Sequence, residues 1–339
     1  MRLSSRSSGD LFGPIKRAKA KRISIFNHKG GVGKTTLTYN ISSVLAEMKK
    51  NVLIVDSDPQ CNLTAYVIDN EVLDDLLDYS DSPSGATVWS AVKPIVDATG
   101  PVKIVPPIEL GPHLWLLPGD IRLSDFEGDL NDLWRECFQR KRRGLAGTTA
   151  LSMLINDICE QKKIDFVFYD TGPNIGPLNR AILLDCDFFI VPAAYDLFSI
   201  RALKTLGRTL YTWITDWQTI VQLAPEDAYL LPGEPKFLGY LPQQFSIYGG
   251  RIASHQRKYS GPLERGIQSD IILVLKKLGG AAGSRNAKLG EVKDFGQLVT
   301  ASQLEGLPLP FVSAGNAQQR AAAHSAFKSI AEKIITLTK

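Results

Sequence analysis

A glycine-rich stretch near the amino terminus has the residue types and the spacing of a phosphate-binding loop. From His28 to Thr36 the sequence reads HKGGVGKTT, between a predicted strand and a segment with helical periodicity. Glycines let the backbone curl until successive N–H groups point at one anion, and the start of a helix adds partial positive charge. Lys34 is placed to bridge the β- and γ-phosphates, and the Thr35 hydroxyl to bind Mg²⁺. The stretch therefore predicts a P-loop that binds ATP.

The predicted nucleotide-binding residues are consecutive. They are Lys29, Gly30, Gly31, Val32, Gly33, Lys34, Thr35 and Thr36. His28 occupies the position where an ordinary P-loop has its first glycine, and a second lysine, Lys29, follows it. The alternative is a glycine-rich turn without a ligand, but a Gly-Lys-Thr sequence between a strand and a helix argues against it.

Two apolar runs further along the chain end in acidic motifs. Residues 52–55 are followed by DSDPQ and residues 166–169 by DTGPN; the aspartates are Asp56, Asp58 and Asp170. A buried strand that ends in an acid is common, so the evidence lies in the order of the motifs after the P-loop. Together the three motifs resemble the ParA/Soj/MinD family of P-loop ATPases, whose variant Walker A motif has a lysine or arginine directly before GGxxGK.

This resemblance implies roles for individual residues. Lys29 would reach across a nucleotide-sandwich dimer to the phosphates of the partner. Asp56 and Asp170 would hold Mg²⁺ together with Thr35, and Asp58 would orient the attacking water. The residues predicted to be catalytic are therefore Lys29, Lys34 and Asp58.

Other positions of the resemblance are less specific. The residues after Asp170 would form the switch loop, and Gly172 stands where the family often has proline, so we expect a more mobile loop. Gln243 and Gln244 lie roughly where relatives hold adenine, and Asp196 follows a strand end that we expect near the switch loop.

Strands that alternate with helices predict an α/β fold, with a mostly parallel sheet flanked by helices. The predicted strands are 22–26, 52–55, 114–117, 164–169, 188–191 and 237–241, and the predicted helices are 34–48, 130–138, 149–159, 199–217 and 316–337. The proline-rich residues 65–145 fit this alternation poorly and predict an insertion after the second strand, or a loop that only covers the sheet edge. We expect residues 1–21 to be a flexible basic tail and residues 22–339 to form the ATPase domain.

Composition is typical of a folded protein in a reducing compartment. Of the 339 residues, 44% are hydrophobic and 22% are charged, which argues against extensive disorder. The four cysteines show neither a CxxC pair nor metal-ligand spacing, so we interpret them as reduced thiols. The richest apolar stretch contains three aspartates and could not span lipid. We therefore expect a cytoplasmic protein without stable membrane insertion.

Among the subfamilies, a ParA-like partition ATPase fits best. The chain lacks the cysteines of iron–sulfur relatives and a tyrosine-rich tail, and its last predicted helix has core-like apolar spacing. The resemblance implies an ATP-dependent homodimer that binds DNA without sequence preference, close to the nucleoid, and an activating partner protein. Candidate DNA contacts are Arg251, Arg257 and Lys258; other basic patches are the tail, which includes Arg17 and Arg22, and residues 140–143.

Two other functions remain open. The chain could be a nucleotide-gated scaffold that recruits a partner through residues 65–145 and the tail, or a MinD-like membrane positioner that uses its basic tail. Steady-state ATPase activity separates the scaffold from the enzyme, and liposome co-sedimentation tests the membrane alternative.

Overall fold

The computed structural model describes residues 17–245, 247–248, 251–252, 254–279 and 287–339. Within them, an eight-stranded sheet has the order β10-β7-β6-β1-β5-β2-β4-β3, and every neighbouring pair is parallel except β3 and β4. Its strands are β1 (Lys21–Ile25), β2 (Val52–Asp56), β3 (Ile108–Gly111), β4 (Leu114–Leu117), β5 (Phe166–Asp170), β6 (Phe188–Ala194), β7 (Lys236–Phe245) and β10 (Val292–Lys293). A separate two-stranded pair joins β8 (Ile247–Tyr248) to β9 (Arg251–Ile252).

Helices cover both faces of this sheet. They are α1 (Lys34–Glu47), α2 (Asn62–Val67), α3 (Asn70–Asp78), α4 (Val88–Val96), α5 (Leu123–Phe138), α6 (Arg142–Lys162), α7 (Pro177–Asp185), α8 (Leu197–Leu223), α9 (Ser254–Arg257), α10 (Ser260–Gly266), α11 (Leu273–Lys277), α12 (Gln297–Glu305) and α13 (Ala317–Leu337). A π-helical turn, Ile267–Ile272, joins α10 to α11, and a 3-10 turn covers Leu309–Phe311. The predicted α/β class and its parallel sheet are therefore confirmed.

The central strands are buried on both faces, as their continuous apolar runs predict. In β2, Ile54 belongs to the core beneath α1 and α13, whereas Leu53 belongs to the core beneath α4, α5 and α6. The parallel register of β2 and β5 places Asp56 directly opposite Asp170. The apolar residues thus fix the sheet, and the sheet brings the two aspartates to one edge.

The region at 65–145 contributes to the sheet as well as covering it. β4 pairs with β2, and β3 pairs with β4 to form the sheet edge. α5 begins at Leu123, earlier than the predicted start at residue 130, because Leu123 and Phe126 are buried against the same core as Leu130. That this region is an insertion stays a prediction.

The predicted tail divides into two parts. Residues 1–16 lie outside the described residues, whereas the next five contact the domain. The Arg17 guanidinium forms an ion pair of 2.7 Å with Asp187, Ala20 is buried, and Lys21 begins β1. Arg22, assigned to a basic surface patch from the sequence, is instead fully buried because it pairs with the buried Asp185 at 2.7 Å. It is unavailable to DNA.

In the part of the chain that the structure describes, none of the helices has the length and apolar character needed to cross a bilayer. The last helix, α13, follows the capping residue Asn316, and its Phe327, Ile330 and Ile334 pack into the core. This agrees with the core-like spacing predicted for it.

Candidate functional site

The glycine-rich loop joins β1 to α1 and leaves the start of that helix open. Gly31 and Gly33 both have a φ of 70°, a conformation that residues with a Cβ rarely adopt. No side chain caps the amino terminus of α1. The first N–H groups of the helix are therefore available to an anion, as the sequence predicts.

Gln243 supports this loop from behind. It lies within β7, which runs four residues beyond its predicted end, and it is buried. Its Nε2 donates a hydrogen bond to the carbonyl of Val32, and a Cβ on Gly33 would come within 2.8 Å of its Oε1. Gln243 therefore braces the P-loop; its expected place beside the adenine stays a prediction. The side chain of Gln244 is outside the described residues.

The predicted metal residues meet at the carboxyl ends of β2 and β5. The Thr35 hydroxyl donates to Asp170 Oδ2 at 2.7 Å, while Asp170 Oδ1 is buried and has no hydrogen-bond partner among the described residues. Asp56 accepts from the amide of Thr64 at 2.8 Å and from its hydroxyl at 2.6 Å. Asp170 thus has an oxygen that could bind another ligand, whereas Thr64 already donates two hydrogen bonds to Asp56.

The electrostatics of this cluster favour a bound cation. Burial, and then the charge of Asp56, raise the pKa of Asp170 to about 8. Burial raises the pKa of Asp56 to about 6 against the hydrogen bonds from Thr64. Burial also lowers the pKa of Lys34, against the attraction of Asp170 and Asp58. A divalent cation that binds next to such crowded carboxylates stabilises their ionised form.

The donor set fits Mg²⁺, which prefers oxygen ligands, keeps several waters and often binds through phosphates. The described residues contain no group of three His, Cys, Asp or Glu side chains able to hold a metal by themselves. Thr35 and Asp170 would therefore hold Mg²⁺ jointly with nucleotide oxygens and water. When bound, the ion would neutralise phosphate charge.

Asp58 lies beside the loop that follows β5. Its side chain is buried, and its Oδ1 accepts the amide hydrogen of Gln60 at 3.0 Å. A Cβ on Gly172 would lie 3.2 Å from the same oxygen, so glycine allows the loop to approach Asp58 closely. On the other side, Asn179 donates to the carbonyls of Gly172 and Asn174, at 3.0 and 3.1 Å. The greater mobility expected of this loop stays a prediction.

Lys29 is engaged within its own chain. Its Nζ lies 2.6 Å from Asp196 Oδ2 and 3.1 Å from the Ser199 hydroxyl, at the start of α8. Asp196 also caps that helix by accepting the amide of Ser199 at 2.7 Å. Burial tends to raise the pKa of Asp196, but Lys29 and Ser199 outweigh it and leave that pKa below its ordinary value. Asp196 therefore contacts the P-loop; that it also lies near the switch loop stays a prediction.

A cavity of about 540 Å³ lies over the P-loop. Besides the loop and Asp58, its walls include Tyr66 from α2 and Val299 and Gln303 from α12. Sequence reasoning missed these three residues, because they carry no motif and come from segments far from the P-loop. The cavity is large enough for a nucleotide.

The structure describes the side chains of two of the three candidate DNA contacts. Arg257 and Lys258 are exposed, whereas the side chain of Arg251 is outside the described residues. The basic run at 140–143 is largely paired with acids. Arg142 contacts Asp227 at 3.0 Å, and Arg143 contacts Glu136 at 3.1 Å. That run is consequently a poorer candidate for phosphate contacts than its sequence predicts.

The chain is similar to known ATPases. Residues 20–223 match the family described as AAA domain, AAA_31. The chromosome-partitioning ATPase Soj of Thermus thermophilus is 29% identical over 195 residues, which are 57% of this chain and 63% of Soj. The chain spans between 44% and 64% of the length of Soj and the other curated relatives compared.

Several solved structures resemble nearly the whole chain. Protein DIP2308 of Corynebacterium diphtheriae has a TM-score of 0.73 and 25% identity, covering 94% of this chain and 98% of its own. McdA of Cyanothece in complex with ATP has a TM-score of 0.61 and 16% identity, covering 94% and 97%. At that identity the likeness to McdA concerns the fold alone.

Proposed function

Because the chain belongs to the ParA family of P-loop ATPases, we propose that it is a dimerisation switch driven by Mg-ATP. ATP closes a homodimer around the nucleotides, and the dimer binds DNA without sequence preference. Slow hydrolysis, stimulated by a partner protein, resets it. The switch serves plasmid or chromosome partition, or positions another cargo, in the cytoplasm on the nucleoid.

The observation that carries this proposal is the convergence at the P-loop. The open start of α1, Thr35 and Asp58 all border one cavity. Thr35 donates to Asp170, whose other oxygen has no hydrogen-bond partner among the described residues. Such a site can bind a triphosphate with its cation and place a carboxylate near the attacking water. Catalysis here would be positioning and charge stabilisation, with Lys34 at the phosphates.

Exposed apolar side chains support the homodimer. Leu197 and Phe198 follow Asp196 directly and are 44% and 69% exposed. Ile175, in the loop that approaches Asp58, is 41% exposed. A Cβ on Gly30 would contact Pro173 at 3.8 Å, so this loop also adjoins the P-loop. Apolar groups at the mouth of a nucleotide site suit a second copy that covers it.

DNA retardation with ADP, ATP and a non-hydrolysable analogue, across a salt series, tests the proposal. We expect binding that requires ATP or the analogue and falls steeply with salt. A steady-state ATPase assay and liposome co-sedimentation run in parallel. Nucleotide binding without hydrolysis would favour the scaffold, and nucleotide-dependent liposome binding without DNA binding would favour the membrane positioner.

A further inference from the structure

Glu127 of α5 reaches the loop between β5 and α7. Its carboxylate is half-buried and accepts the backbone N–H of Leu178, in the first turn of α7. The residue that precedes α7, Gly176, has no side chain with which to cap that helix. Glu127 therefore acts as the cap from a different helix, where a carboxylate is favoured by the helix dipole.

Gly176 is required by this contact rather than by its backbone. Its φ of −89° and ψ of 169° are ordinary for any residue. A Cβ on Gly176, however, would overlap the Oε1 of Glu127. Glycine at this position thus admits the carboxylate of Glu127 to the loop.

The same loop ends against Asp58. Gly172 approaches Asp58 at one end of the loop, and Glu127 contacts Gly176 and Leu178 at the other. Only three residues separate Gly172 from Gly176, and the middle one, Asn174, is held by Asn179. A displacement of the Glu127 side chain would therefore be transmitted to Asp58 through a short, hydrogen-bonded segment.

We propose that Glu127 is a positioning residue for hydrolysis, which holds residues 171–178 in the arrangement that places the loop against Asp58. The inference rests on the proposed function and adds a residue that controls the rate of ATP hydrolysis. Through Glu127, movement of α5 would alter hydrolysis without touching the nucleotide. A partner that contacts α5 could use this route.

The test compares Glu127→Ala with Glu127→Gln, and with Asp132→Asn as the matched control. Asp132 is also on α5, but it is exposed, and among the described residues its ion pair is with Arg135, at 2.7 Å. We expect Glu127→Ala to lower kcat about 10- to 100-fold, the scale of small misplacements in a site. The Kd for a non-hydrolysable ATP analogue should change less than about 3-fold. Glu127→Gln keeps the acceptor for Leu178 and should retain most of the activity.

Hydrogen exchange provides a readout that does not depend on catalysis. The amides of the five non-proline residues in 172–178 should exchange faster in Glu127→Ala than in the wild type. In Asp132→Asn their exchange should be unchanged. If the wild type hydrolyses no ATP, the proposed function fails, while this exchange still decides whether Glu127 holds the loop. Unchanged exchange together with unchanged kcat would overturn the inference.

A mutant cycle with Gly176→Ala isolates the contact. The new Cβ would displace Glu127, and it would also approach Asn174 Oδ1, at 2.9 Å. The double variant Glu127→Ala/Gly176→Ala should therefore be no slower than Gly176→Ala. Losses in kcat that multiply in the double variant would mean that the two residues act independently, against the inference.

Discussion

Thr35 and Asp170 are 135 positions apart, yet the hydroxyl of the first donates to the carboxylate of the second at 2.7 Å. The bond joins the first turn of α1 to the end of β5, so it depends on the strand order that sets β5 beside β1. The other oxygen of Asp170 is buried and unpaired among the described residues. The pair is thus prepared for a cation that would satisfy that oxygen.

Removing the Thr35 hydroxyl should uncouple nucleotide binding from Mg²⁺. In the wild type we expect Mg²⁺ to tighten ATP binding, because it offsets repulsion between the phosphates and Asp170. In Thr35→Ala the ATP affinity measured with Mg²⁺ should approach the value measured in EDTA. Titration calorimetry with and without Mg²⁺ measures this. Equal Mg²⁺ dependence in both proteins would contradict the assignment of Thr35.

Asp58 is predicted to affect the rate of ATP hydrolysis and not the affinity for the nucleotide. Asp58→Asn keeps an oxygen that can accept from Gln60 and can pack against Gly172. It removes the charge that would orient water, so kcat should fall about 100-fold or more. The Kd for a non-hydrolysable analogue should stay near that of the wild type. If Asp58→Asn lost activity and nucleotide affinity together, Asp58 would have a role in binding or folding.

Lys29 must leave Asp196 before it can reach a partner's phosphates. The ion pair is partly exposed, with 26% of the Lys29 side chain and 37% of the Asp196 side chain accessible, so it costs about 1 kcal/mol or less to break. Asp196→Asn keeps an oxygen to cap α8, and it should tighten ATP-dependent dimerisation by no more than about 5-fold. Lys29→Ala should abolish dimerisation. Analytical ultracentrifugation with the analogue measures both, and unchanged dimerisation of Lys29→Ala would remove the sandwich from the proposal.

The parts of the site that a contiguous motif encodes could be predicted from the sequence. Gly33 and Lys34 are fixed locally, by the turn they make, and Asp170 by the strand it ends. Tyr66 and Val299 could not be predicted, because their place in the cavity depends on how α2 and α12 pack. Local patterns specify an element, whereas lateral contacts between elements come from the whole fold.

Charge patterns were the least reliable guide. Arg22 belongs to a basic run in the sequence, but its position in β1 buries it against Asp185. A run of arginines and lysines does not reveal which of them face acids from distant segments. For the same reason, Arg142 pairs with Asp227, 85 positions away.

The buried pair of Arg22 and Asp185 should make a large contribution to stability. Burial alone would raise the pKa of Asp185, but Arg22 outweighs it and leaves that pKa below its ordinary value. Breaking such a pair leaves an uncompensated buried charge, so Asp185→Asn should lower the free energy of unfolding by about 3–5 kcal/mol at pH 7. Asp187 is the partly exposed partner of Arg17, so Asp187→Asn should lower the free energy of unfolding by about 1 kcal/mol or less.

The same pair has a defined pH dependence. A carboxyl group whose pKa is lower in the folded than in the unfolded chain stabilises the fold above the unfolded pKa, about 3.9 for aspartate. This contribution is lost as the pH falls from there through the folded pKa. Urea unfolding should show a difference between wild type and Asp185→Asn that is constant from pH 7 to about pH 5 and shrinks below about pH 3.9. A difference that grows on acidification would contradict the sign.

DNA binding by Arg257 and Lys258 should appear in the salt dependence. Both side chains are exposed, and each phosphate contact contributes about 0.9 to the slope of log affinity against log salt concentration. Arg257→Ala and Lys258→Ala should each lower the slope by about 1, equally for unrelated DNA sequences, because phosphate contacts carry no base information. Lys328→Ala, an exposed lysine on α13, is the control and should leave the slope unchanged. Fluorescence anisotropy with the non-hydrolysable analogue bound measures the slopes. Slopes equal to the wild type in both variants would move the DNA interface elsewhere, while ATP-dependent binding itself would still support the switch.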